Sequence, residues 1–320
     1  MRRSIFIVAI TGVVVLTARP AVSGPLLKSR VGKDANWVVH LDCEQLKRAQ
    51  IGGLIREELV RIGVEEKLAN FAEVFSFHPL DDLQSVTLYG NGPDEERAVV
   101  LAEGRFDAEK LLAIVRLNPR YEEIKHGDFV LHGWLQEDKH KDDQTTEKMV
   151  YGCLYDKRLV VMSAGLDAVK WALDVLAGTA EDAADGVFDQ AALSAEGAFF
   201  QVAANGVGEM ADEEEAAVLK QTDALGLAVG EVEGDFYADL ELTADTSEVA
   251  QGISKILEGV IAFVSLSGED RPRLAELAKK VELSCQGNSV RVHLGCDPRA
   301  VFELLREQWE KDREKKNGIQ

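Results

Sequence analysis

Cysteine is scarce in this sequence. Cys43, Cys153, Cys285 and Cys296 are the four in 320 residues, and no C-x-x-C occurs. That is too few for a scaffold built on disulfides, and it removes the usual zinc and thiol-redox signatures. Pairing in an oxidising compartment leaves three connectivities open. Cys285 alternates with Val281 and Leu283, which predicts a small buried apolar residue.

The motifs of the common enzymes are missing too. Ser163 sits in Val-Met-Ser-Ala-Gly, without the first glycine of a nucleophile elbow. The chain has no Walker loop, no H-E-x-x-H, no EF-hand loop and no G-x-G-x-x-G after a strand. No catalytic residue, metal site or cofactor is assigned on this basis, and a non-catalytic protein is the expectation.

Positive charge is in deficit, with 36 Lys and Arg against 56 Asp and Glu. Such a surface repels nucleic-acid phosphates and anionic membranes at long range, so nucleic acid is excluded as a partner.

The N-terminus lacks the ~20 apolar residues that a spanning helix needs. Met1-Arg2-Arg3 precedes about a dozen apolar residues, and Arg19-Pro20 leads to Ala21-Val22-Ser23 ahead of Gly24. This pattern predicts a signal peptide over residues 1–23 and an exported protein with no stable membrane span after cleavage. Removing Arg2, Arg3 and Arg19 from a chain of net charge −20 leaves −23.

What is present is a body of 46% hydrophobic and 29% charged residues, a globular composition. Two hairpin-then-helix stretches, 85–115 and 224–254, align at a constant offset of 139, with Leu88 on Leu227, Leu101 on Leu240 and Ile114 on Ile253. A repeat of that length predicts a duplicated domain. The first copy is placed at 24–177 with a hairpin inserted at 121–135, and the second at 198–320. Between them 178–197, small and acidic, is the expected linker. Each copy reads β-α-β-β-α-β-β-α, which predicts an α+β fold with antiparallel sheets covered by helices on one face.

Element expectations follow from spacing. A helix is expected over 44–61, weakened at Gly52-Gly53, and another with Val64, Leu68, Phe71, Ala72 and Phe75 on one face. Residues 136–148 are expected to be a polar loop, and 209–220 a helix. The long second-copy helix should carry Val249, Ile253, Ile256, Leu257, Val260, Ile261 and Val264 along one face.

The stretch 77–90, FHPLDDLQSVTLYG, and the run Gly104-Arg105-Phe106-Asp107 resemble uncharacterised families of exported bacterial proteins of planctomycete type. That resemblance implies a duplicated α+β domain, and it lends no activity and no catalytic residue.

Side chains with chemical potential have plainer duties. His126, His132, His140, Asp142 and Asp143 could hold a labile metal ion, but a turn, a strand face and a solvated loop account for them. His40 and His293 could face one cleft, or be ordinary sheet histidines. Asp81-Asp82 should cap the turn before the first core strand, and Asp212 to Glu215 should favour a helix start. Phe199 and Phe200 point to opposite strand faces, as core or as an apolar groove. The expectation is a structural or binding module of the cell envelope whose partner is another envelope protein. A carrier or sensor of an apolar ligand, lipid or peptide, is the alternative, and a hydrolase without a recognised motif is a third.

Overall fold

The structure is a computed structural model, and it describes residues 24–139, 145–184, 186, 188–210, 219–268 and 271–317. Residues 1–23, His140, Asp142, Asp143 and 212–215 lie outside the described residues. The fold is α+β. Among the described residues, 24–44 with 59–189 form one compact unit, and 45–58 with 190–317 form a second.

The chain begins with β1 (Trp37–Asp42), α1 (Cys43–Arg48), α2 (Gln50–Arg61), α3 (Val64–Phe75) and α4 (Pro79–Asp82). The expected helix over 44–61 is broken at Ala49. Gly52 is required here, because a Cβ on it would lie 1.9 Å from the Leu46 carbonyl oxygen. The first unit continues with β2 (Leu83–Gly90), β3 (Ala98–Gly104), α5 (Ala108–Val115), β4 (Glu122–His126), β5 (Phe129–Lys139), β6 (Thr145–Leu154), β7 (Leu159–Ser163) and α6 (Leu166–Leu176). Its strands lie in the order β1-β2-β3-β7-β6-β5-β4, antiparallel throughout. Helix α6 buries Val169, Ala172 and Leu173, and its Trp171 ring meets Tyr89 edge-on at 5.5 Å.

The second unit holds β8 (Ala198–Asn205), α7 (Val207–Met210), β9 (Thr222–Val232), β10 (Asp235–Ala244), α8 (Ser247–Leu266), α9 (Pro272–Ala278), β11 (Val281–Gln286), β12 (Ser289–Cys296) and α10 (Pro298–Asn317). Its strands lie in the order β8-β9-β10-β12-β11. Leu242, Ala244 and Val290 on the sheet pack with Ala250 and Ile253 of α8. On β10 and β12 the opposite face carries Asp239, Glu241, Arg291 and His293, which are partly or fully exposed.

With the β4–β5 hairpin set aside, β1-β2-β3-β7-β6 runs through the same succession as β8-β9-β10-β12-β11. The ungapped offset of 139 does not survive, however. Leu227 lies opposite Leu240, whereas Leu88 lies opposite Val100 and Leu101 opposite Thr87. Directly opposed residues share a face, so Leu88 and Leu101 point to opposite sides of their sheet. The loops explain the slip. Residues 91–97 join β2 to β3, while β9 and β10 turn on Glu233 and Gly234 alone, both at positive φ as such a tight turn demands.

Other expectations change in the same way. Residues 136–139 and 145–148 are not a loop but the far end of the β5–β6 ladder, with Gln136 opposite Lys148 and Lys139 opposite Thr145. The start of the expected linker is packed: Phe188 is 1% exposed and Ala183 fully buried, and the Ala183 N–H donates to the Val31 carbonyl at 2.8 Å. Cys285, near the end of an outer strand of its unit, is exposed. Phe199 is buried at 6.5 Å from the Phe236 ring, while Phe200 is half-buried. Phe71 is exposed, stacked on Phe75 at 4.1 Å. None of the four cysteines is joined in a disulfide. Asp82 accepts from the His78 backbone N–H at 2.7 Å, the capping expected of it.

Candidate functional site

The histidines are the first candidates, and His40, His126, His132 and His293 each have a structural partner. His40, on β1, is 1% exposed. Its Nε2 lies 2.8 Å from the Gly24 carbonyl oxygen and its Nδ1 2.9 Å from the Thr87 hydroxyl. A carbonyl only accepts, so Nε2 carries the proton and Nδ1 accepts from Thr87. Burial lowers its pKa from 6.5 to about 4, against the opposing pull of the Gly24 carbonyl and Glu103. With both nitrogens engaged inside the first unit, His40 faces no cleft.

His126 and His132 are drawn to different neighbours. His126 pairs with Asp174 of α6 at 2.7 Å. His132 lies 2.8 Å from the Tyr121 hydroxyl, which gives its one proton to Glu123 at 2.5 Å. Nδ1 of His132 is therefore the donor to Tyr121. Arg116 completes the group, 2.8 Å from Glu123. Burial lowers the His132 pKa, and the Tyr121 and Arg116 hydrogen bonds lower that of Glu123. Among the described residues, no group of three or more His, Cys, Asp and Glu side chains is placed to hold a metal ion.

His293 lies in an open cleft of about 680 Å3 within the second unit, with Asp239, Tyr237, Lys280 and Cys296. Its Nδ1 is 2.6 Å from Asp239, which resembles half of a nucleophile–base pair. The chemistry fails at the sulfur. Burial pushes the Cys296 thiol up, away from the thiolate that attack requires. Burial, with Asp239 and Glu196 adding to it, pushes Tyr237 up to about 12, so it stays a neutral phenol donating to the Glu196 carbonyl at 2.7 Å. Asp235, Asp239, Asp297 and Glu196 put negative charge around the cleft, with Lys280 among them.

The surface that departs from ordinary composition is α8. Thr246 caps it, its hydroxyl accepting from the Val249 N–H at 3.3 Å. Its inner stripe, Ala250, Ile253 and Ser254, is buried. Ile256 and Val260, on the expected apolar face, are each 53% exposed, Phe263 is 75% and Leu266 85%. The helix is apolar on two sides, and its own sheet covers only one. Sequence periodicity found the stripe but not its division, because residues 253, 256, 257 and 260 lie within one broad arc. By length and composition alone, α8 could cross a membrane.

No protein-family model matches the chain, and no curated protein does. Solved structures of a protein named TP0453 are similar to it at low level. Crystal form I aligns at 8% identity with a TM-score of 0.45, covering 88% of this chain and 97% of that one. Crystal form IV aligns at 9% identity with a TM-score of 0.42, covering 89% and 97%.

Proposed function

We propose that the protein is a non-catalytic structural or binding module, exported to the cell envelope, whose contact surface is the outer stripe of α8. The observation that carries this reading is the row of large apolar side chains left in water from Ile256 to Leu266. Exposed apolar area concentrated in this way marks interaction sites. Support for export comes from the basic, apolar and small-residue succession over residues 1–23. The histidines and the acidic cleft, each with structural work of its own, favour binding over turnover.

Fractionation tests both halves of the reading. Native protein recovered with the envelope should begin near Gly24, and Phe263→Glu should lower its retention there. A cytoplasmic chain that keeps Met1 overturns export, and unchanged retention of Phe263→Glu overturns the contact surface.

A further inference from the structure

The outer face of α8 has a repeat of its own. Gly252, Ile256, Gly259, Phe263 and Leu266 follow one another at spacings of four, three, four and three. All five are exposed. That alternation keeps a single seam on one side of a helix and is the spacing by which helices interlock in pairs. The two glycines are the informative members. A Cβ at either position would meet nothing within 4 Å, so nothing in the fold requires glycine. Each nevertheless costs about 1 kcal/mol against alanine inside a helix. A lipid surface gains nothing from them, whereas a second helix does, because small residues let two backbones approach.

We infer that α8 pairs with α8 of a second copy of this chain, antiparallel, about a two-fold axis at Gly259. The inference rests on the reading of α8 as the contact surface and names its partner. The seam complements itself under that operation. Gly259 meets Gly259, Leu266 fills the space over Gly252, and Phe263 packs beside Ile256. Large thus opposes small at both ends, as an isologous interface demands. At their observed exposures, the three large seam side chains and Val260 beside them leave on the order of 500 Å2 in water, so two copies would remove about 1,000 Å2, near the least a specific interface needs. Both copies are acidic, and their mutual repulsion is screened by salt. Pairing should therefore tighten as ionic strength rises.

Sedimentation of the full-length exported chain over a concentration series, in low and moderate salt, is the test. A dimer is expected, stronger in salt. Gly259→Leu should weaken it by at least about tenfold while holding or raising Tm, since leucine favours the helix. In a Cys285→Ser background, Gly259→Cys should oxidise to a covalent dimer and Gly252→Cys should not. A wild-type monomer at all concentrations overturns the pairing, as does a dimer indifferent to Gly259→Leu or cross-linked as readily through position 252. If the monomer instead binds phosphatidylcholine vesicles, and Phe263→Glu abolishes that binding, the pairing falls and the contact-surface reading stands. If the protein neither pairs nor binds vesicles, and Phe263→Glu does not change its envelope retention, both fall.

Discussion

His40 makes the stability of the first unit depend on pH in a defined direction. Its pKa is about 4 when folded, against 6.5 ordinarily. Between those values the unfolded chain binds a proton that the folded chain refuses. Its contribution is complete above pH 6.5 and is lost as pH falls toward 4, on the order of 3 kcal/mol over the window. Urea unfolding at pH 7.5 and pH 5 should show about 2 kcal/mol of that loss, and His40→Gln should flatten the difference between the two. A slope unaltered by the substitution would place the effect elsewhere. Tyr89 offers a second test at this scale. It is fully buried, its hydroxyl has no hydrogen-bond partner among the described residues, and burial holds the phenol well above the usual tyrosine range. An unsatisfied buried hydroxyl costs about 1–3 kcal/mol. Tyr89→Phe is therefore expected to hold or raise Tm, and a clear drop would reveal a partner.

At the scale of elements, Leu101 and Leu240 separate two things that the sequence shows as one. Leu101 is 4% exposed, lining a small nook with Pro25, Leu27 and Leu159. Leu240 is half-buried beside Leu257 and Leu283. Leu101→Ala should cost about 2–5 kcal/mol and Leu240→Ala less, measured by urea unfolding; equal losses would restore the ungapped match. Most strand and helix positions were legible because period-two and period-3.6 patterns are local. The face of each strand was not. It depends on whether a loop has an odd or even number of residues, and a one-residue slip reverses every side chain. The candidate surface was half legible for a similar reason. Ile256, Val260 and Phe263 announce an apolar helix, but only the packed structure tells which stripe its own sheet covers.

The whole molecule is divided in a way that sequence order hides. The second unit takes residues 45–58 from early in the chain. In that segment Ile51 and Ile55 are buried, and Glu231 accepts from the Gln50 and Ile51 backbone N–H groups at 2.6 and 2.7 Å. Residues 190–320 alone should therefore fail to unfold cooperatively, and adding a peptide of residues 43–61 should restore a single transition by circular dichroism. A fragment that is stable without the peptide would show the borrowed segment to be dispensable.

That borrowing also sets a timetable. Residues 45–58 are synthesised more than 100 residues before the strands that complete their unit, and translation runs at about 5–20 residues per second. For on the order of ten seconds, Ile51 and Ile55 are sticky ends waiting for a partner not yet made. A chaperone that shields this segment, or export that keeps the chain unfolded until all of it has arrived, removes the hazard. The early segment is thus where slowed synthesis or a crowded cell should first turn folding into aggregation.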